Sequence, residues 1–307
     1  MAKRHLFRKG SRADNRLSEI KKNGALFNIL GLIPLIWGTL FVLMILWGFG
    51  VSITDEDWYL DHPSSIIPLK LDFSNYQKAM EKFVFESYID GELVKTNYFT
   101  LILNSFWFSF GMTATKMIST VFFAYAVARL HFPGRKFLYV FVVLQMMIPV
   151  YGQTAANYQL LDNLGLLDSP LFLLGQGAGH GMYFLIVYAF FRNLPTGYAE
   201  AAQIDGAGPF TVFFRVMLPQ ARPIIVSLSV MQFISAWNSY DVPLLYLPSY
   251  PTLSTALYLY KDNMFQLGLS TPTYFAGMLI SIIPVAVLFL VFNKQIMNNI
   301  SIGGMKG

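Results

Sequence analysis

Residues Leu194-Pro195-Thr196-Gly197-Tyr198-Ala199-Glu200-Ala201-Ala202-Gln203-Ile204-Asp205-Gly206-Ala207-Gly208-Pro209-Phe210-Thr211-Val212-Phe213-Phe214-Arg215-Val216-Met217-Leu218-Pro219 decide how the chain is read. The pattern predicts two short helices around a turn. Pro195 suits the first turn of one helix, and Gly206 its left-handed C-terminal position. Pro209 suits the start of the second helix, and Pro219 is expected to end it. Phe210, Phe213, Phe214 and Met217 recur at i, i+3, i+4 and i+7, an apolar stripe on one helical face. Such a stripe packs against helices of its own chain or enters a groove on another protein, and periodicity alone does not choose.

On either side of this stretch the chain is strongly apolar. Of 307 residues, 55% are hydrophobic and 13% charged, too few charges to clothe a water-soluble surface. Mean hydropathy is +0.48. A bilayer span needs about 20 mostly apolar residues. Candidate spans run over 23–54 (apolar core 26–47), 97–128, 137–161, 170–191, 223–240 and 263–293. Lys116 interrupts the second, but splitting it there leaves a remnant too short to cross, so one long tilted helix is expected. The chain is therefore expected to be an all-α integral membrane protein with six transmembrane helices. Its layout is a basic tail (1–25), a transmembrane domain (26–293) with the quoted loop at 193–222, and a C-terminal tail (294–307).

Six spans place 16 of the 22 Lys and Arg on one side and five on the other, with Lys116 inside. Positive charge favours the cytoplasmic side, so both termini and the quoted loop are expected there. The outer segment 55–96 is acidic, with nine Asp or Glu against four Lys. The first apolar run is too long for a signal peptide and reads as a retained anchor. The basic tail, with Lys3, Arg4, Arg8, Lys9, Arg12 and Arg16, is expected to meet anionic membrane lipid or to hold topology. No internal repeat or separate soluble domain is apparent.

The chemistry for catalysis is not in the sequence. There is no GxxxxGK[ST] phosphate loop, no GxSxG, no HExxH and no cysteine. His5, His62, His131 and His180 share no metal-ligand spacing. The chain is expected not to be an enzyme, to bind no metal or cofactor itself, and to have no nucleic-acid partner.

Glu200-Ala201-Ala202, three residues, Gly206, nine residues and then Val216-Met217-Leu218-Pro219 resemble the EAA loop of bacterial ATP-binding-cassette (ABC) importer permeases. Val216 stands where the family pattern has Ile. The resemblance extends from the second span onward and is closest to carbohydrate-uptake permeases of the maltose type, in particular the smaller partner. Asn104-Ser105, Ala124-Tyr125-Ala126-Val127-Ala128-Arg129, Met146-Met147-Ile148-Pro149 and Leu164-Gly165-Leu166 carry it. So do Trp237-Asn238 with Pro243-Leu244, Thr252-Leu253 and the ending Gly303-Gly304-Met305-Lys306-Gly307. The family more often has an acidic residue directly after Trp-Asn, where this chain has Ser239 and then Asp241.

The resemblance implies a type I importer permease fold in the plasma (inner) membrane of a prokaryote. It implies a heterodimer with a second permease, two ATPase subunits beneath carrying ATP and Mg, and an extracytoplasmic solute-binding protein delivering a saccharide. The stripe of Phe210, Phe213, Phe214 and Met217, continuing to Leu218 and Pro219, would then enter a groove on the ATPase. Glu200 and Asp205 would make polar contacts there, Gly206 the bend, and Ala201 and Ala202 the close approach. The Gly303–Gly307 tail would reach towards the ATPase interface, and the outer loop 248–266 towards the binding protein. Lys116 either lines the pathway, meeting a polar or acidic saccharide, or snorkels and bonds helix carbonyls. Gln145, Trp237, Asn238 and Tyr240 qualify by type and depth as pathway residues.

Overall fold

A computed structural model describes residues 31–300 apart from short stretches at 64, 66, 83, 90–91, 149–151, 176–180 and 264–269. The basic N-terminal tail, His180 and the Gly303–Gly307 tail lie outside the described residues. In chain order the structure has α1 (Gly31–Ser52), then α2 (Glu56–Asp61), α3 (Ser74–Lys82), β1 (Phe85–Ile89), β2 (Glu92–Thr96) and α4 (Tyr98–Arg129). There follow α5 (Arg135–Met147), α6 (Gln153–Asn163), α7 (Phe172–Gly175), α8 (Gly181–Asn193) and α9 (Gly197–Ile204). The chain ends with α10 (Pro209–Thr211), a π turn (Val212–Met217), α11 (Leu218–Asn238), α12 (Asp241–Tyr246), α13 (Leu253–Asn263) and α14 (Thr271–Ile300).

Among the described residues, four helical stretches are long and apolar enough to cross a membrane: Gly31–Ser52, Tyr98–Arg129, Pro209–Asn238 and Thr271–Asn293. The second is one unbroken helix through Lys116, as its length required. Its start is fixed by Asn97, whose Oδ1 accepts from the Thr100 amide at 2.9 Å. Expected spans 137–161 and 170–191 are instead broken, into α5 with α6 and α7 with α8. Gly152 has φ +81°, a left-handed conformation that interrupts a helix at little cost to glycine.

The central helix is α4, which packs on α8 along one side and α11 along another. Its buried face carries Ser105, Ser109, Thr113 and Thr120, small polar residues that let helix backbones approach closely. Ser105 Oγ donates to the Leu101 carbonyl and accepts the Leu253 amide, both at 2.8 Å, which seats the start of α13 on α4. By contrast α1 exposes almost its whole apolar length, from Leu32 through Leu46. A stable helix hydrophobic all round and exposed all round needs an apolar solvent, which lipid supplies.

The acidic outer segment between the first two spans carries secondary structure of its own. Asn75 Nδ2 donates to the carbonyls of Ser52 (3.1 Å) and Thr54 (2.8 Å), tying α3 to the end of α1. Strands β1 and β2 form an antiparallel hairpin with Glu86 opposite Lys95, an ion pair of 2.6 Å, so the structure is not purely helical. Asp55 caps α2 and accepts from Lys70 Nζ at 2.9 Å, and that ammonium lowers its pKa. Asp72, bonded by Ser74 and then by Lys78 Nζ at 2.9 Å, is held down to about 2.

Candidate functional site

The quoted loop folds around its glycine. Gly206 has φ +82°. Its amide donates to the Gln203 carbonyl at 3.0 Å, and the Ala207 amide reaches back to Ala202 at 2.9 Å. This pair of bonds closes the C-terminus of α9 as a Schellman motif. Two residues later Pro209 opens the next helix behind Gly208, whose carbonyl accepts the Val212 amide at 3.0 Å. Arg129 at the end of α4 anchors the assembly: its Nε donates to the Phe191 carbonyl at 2.7 Å and its Nη2 to that of Leu194. The loop is thereby hung from the ends of α4 and α8.

Pro219 does not end the second helix. Residues 209–238 run on as one helix, because the turn before the proline widens to π spacing, with the Leu218 amide bonded to the Phe213 carbonyl. Pro219 has no N–H for the Arg215 carbonyl and crowds it; the wider turn relieves both problems. Pro223 lies inside the same continuous helix, and Ser227 Oγ donates to its carbonyl at 3.0 Å.

The Phe stripe is divided. Phe213 is 3% exposed, with its ring centroid 5.0 Å from that of Phe122 and 4.6 Å from that of Tyr125 on α4. Met217 is fully buried in the same cluster. These two of the four stripe residues pack in the interior of this chain. Phe210 is 78% exposed and Phe214 about half exposed. On α9, Ala199 and Ala202 turn inward onto the core, as do Ala207 and Leu218 nearby. Glu200, Ala201, Asp205, Gly206 and Pro219 stay exposed. Two residues not singled out in the sequence, Tyr198 and Ile204, are exposed apolar side chains on the same loop as Phe210; Ile204 is 86% exposed.

The expected pathway residues do not form one group. Trp237 is buried: its Nε1 donates to the Ser281 carbonyl at 3.2 Å, and its ring meets Phe106 edge-on at 5.0 Å. It joins α11 to α14. Asn238 is exposed, with Nδ2 turned back to the Ile234 carbonyl at 2.8 Å. Tyr240 is stacked on Tyr258 at 4.2 Å between centroids, and the two rings are each about 40% exposed. Gln145 is exposed near the end of α5. Lys116 is half-buried, its Nζ 5.5 Å from the centroid of Tyr183 on α8, a cation–π geometry.

Residues 24–300 match the family model described as "Binding-protein-dependent transport system inner membrane component". The chain belongs to this family. Relatives in it include the diacetylchitobiose uptake system permease protein NgcG of Streptomyces coelicolor, 28% identical over 88% of this chain and 85% of that one. The galactooligosaccharides transport system permease protein GanQ of Bacillus subtilis is 29% identical over 87% and 90%. The sn-glycerol-3-phosphate transport system permease protein UgpE of Yersinia pestis is 28% identical over 85% and 92%. The fold is that of a bacterial ABC transporter involved in import of the acidic polysaccharide alginate. That chain superposes with a TM-score of 0.69 at 22% identity, over 87% of this chain and 96% of the other.

Family membership makes this a transport subunit of the inner membrane. The residues that shape the loop beyond its motif were readable only in part. Tyr198 and Ile204 sit six apart on a short helix, which the spacing contains but does not aim. The grip of Arg129 on two α8-end carbonyls spans 62 and 65 residues of sequence and has no local signal.

Proposed function

We propose that this chain is a permease subunit of an ABC importer that moves a sugar or oligosaccharide into the cytoplasm. A second permease completes the pathway, two ATPase subunits carrying ATP and Mg dock on the loop at 193–222, and an extracytoplasmic binding protein delivers solute. Six crossings follow if α5 with α6 and α7 with α8 each make one broken crossing beside the four long helices. Both termini and the loop then lie in the cytoplasm. The boundaries 1–25, 26–293 and 294–307 are proposed with them.

One observation carries the reading. Tyr198, Ile204 and Phe210 are exposed on a loop whose Ala199, Ala202 and Ala207 pack on the core, so the loop offers large apolar side chains that this chain does not cover. Apolar side chains left exposed in this way mark a protein-docking site. Glu200 and Asp205 at its rim supply polar contacts, and Phe210 and Phe214 replace the full stripe as the inserted surface. For the pathway, Gln145, Asn238 and Tyr240 remain the solute-facing candidates. Lys116 is assigned to the α4–α8 interface by its contact with Tyr183.

The carbohydrate assignment rests on relatives whose names specify chitobiose and galactose oligomers. A glycerol phosphate is the second reading, because a relative of equal identity is named for it. Affinity purification of this chain from its native membrane, followed by mass spectrometry, tests the assembly. A second permease, a phosphate-loop ATPase and a solute-binding protein should accompany it. Saccharide binding by that last partner then separates the two solutes. Recovery of the chain alone, transporting without an ATPase, overturns the reading.

A further inference from the structure

At the end of the bundle that bears the docking loop, a cleft of about 360 Å³ opens between the ends of α4, α5 and α8. Arg135, Lys136 and Arg192 edge it, against an apolar wall that includes Val127, Tyr139 and Tyr188. No carboxylate lines it, and none of the three cations is in an ion pair among the described residues. Arg129 is not available to it, being turned to the Phe191 and Leu194 carbonyls.

Two of these cations stand where an anion is favoured, with Arg135 Nη1 also donating to the Leu130 carbonyl at 3.3 Å. Arg135 and Lys136 open α5, whose cap is Gly134, so no side chain covers its first amides. A helix N-terminus carries partial positive charge, and cations there add repulsion that a bound anion reverses. Arg192 faces them from the last turn of α8. The depth is equally specific. Helix α4 has 32 residues, about 48 Å at 1.5 Å per residue, against about 30 Å of hydrocarbon. Centred on the hydrocarbon, such a helix carries its last turn, where Val127 lines the cleft, to headgroup level. Tyr139 and Tyr188, tilted at 38° with centroids 4.7 Å apart, present rings of the kind that favours the membrane interface.

We propose that this cleft binds one anionic phospholipid, the phosphate held by Arg135, Lys136 and Arg192 and an acyl chain lying along Val140 and Tyr139. The basic rim answers the charge, and the apolar wall answers the chain, which a free phosphate does not need. A lipid seated here would brace α5 and α8 beside the residues from which the docking loop hangs.

The test uses the chain in its purified, delipidated complex, titrated with phosphatidylglycerol or phosphatidylcholine and followed by native mass spectrometry. The wild-type complex should retain one tightly held phosphatidylglycerol that phosphatidylcholine does not replace. The triple variant Arg135→Gln, Lys136→Gln, Arg192→Gln should bind that lipid on the order of 100-fold more weakly, at roughly a fivefold loss per basic side chain near the surface. Equal retention of both lipids by the wild type overturns the proposal, as does an unchanged preference in the triple variant. Displacement of the lipid by millimolar inorganic phosphate would also overturn it, in favour of a small-anion site. Should the triple variant fail to assemble, Val140→Trp keeps all three cations and fills the cleft. Loss of the retained lipid in that variant supports the proposal, and its persistence refutes it.

Discussion

Phe210 and Phe213 are three residues apart on one helix and should behave as opposites when cut to alanine. Phe213 is 3% exposed and touches Phe122, Tyr125 and Phe214, with centroids 5.0, 4.6 and 4.8 Å away. Removing a packed aromatic ring costs about 3–5 kcal/mol, from lost contacts and the cavity left behind. Phe213→Ala should therefore lower the melting temperature of the purified chain in detergent and reduce its yield. Phe210 is 78% exposed, so Phe210→Ala should leave the isolated chain within about 0.5 kcal/mol of wild type. If that ring is instead buried in a partner ATPase, its loss forfeits most of the 1.5–3 kcal/mol typical of burying a Phe, or roughly 10-fold or more in association. Fluorescence-detected size-exclusion melting reads the first effect, and ATPase pull-down with ATP-driven uptake reads the second. Equal melting losses in both variants would refute the division of the stripe. Unchanged ATPase binding and uptake in Phe210→Ala would refute the docking surface.

The turn at Gly206 gives a graded series. A Cβ there meets nothing within 4 Å, so the cost of a side chain is its left-handed φ of +82°, about 1–2 kcal/mol for an ordinary residue. Uptake should fall in the order Gly, Asn, Ala, Val, and a valine variant with full activity would remove the Schellman turn from the mechanism. The segment between α1 and α4 should loosen in acid. The Asp72 carboxyl is held at about 2 against an ordinary 3.8. Its folded-state pKa is depressed, so its stabilisation is complete above about pH 4 and lost as pH falls towards 2. Hydrogen exchange of the α3 amides should accelerate across that window in the wild type and lose the pH step in Asp72→Asn.

Local rules were legible where local chemistry decides. The Gly206 turn and the start at Pro209 follow from the residues within a turn or two, and the unbroken passage of α4 through Lys116 from the length a crossing needs. The breaks between α5 and α6 and between α7 and α8 had signals that hydropathy hides. Pro149 disfavours helix at the residue before it, and the glycines at 175–181 weaken any span they occupy. Hydropathy sums over such residues because they are neither charged nor strongly polar. The fate of the Phe stripe was not legible, since a period of 3.6 aims a face without naming what meets it. The packing of Trp237 was hidden for the same reason: its type suits sugar stacking, and its indole N–H donates to the Ser281 carbonyl, 44 residues away. The passage of the helix through Pro219 needed the π turn, which leaves no mark in composition.

The continuous stretch Pro209–Asn238 constrains how this chain can change length over evolution. Its far end is held by hydroxyls from the next segment. Ser254 Oγ bonds the Trp237 carbonyl, and Thr255 Oγ1 bonds that of Tyr240 at 3.1 Å. Within an α-helix, one inserted or deleted residue rotates everything beyond it by about 100° and shifts it by about 1.5 Å. Such a change would twist the docking loop away from both α4 and its partner, so length variation should be purged from this stretch. The β1–β2 hairpin between α3 and α4 carries no such through-going element and should tolerate insertions better. The π turn is the exception within the helix, since its extra residue is already looped out of register. A deletion between 212 and 217 would be the one event able to shorten this helix while keeping the alignment of its two ends.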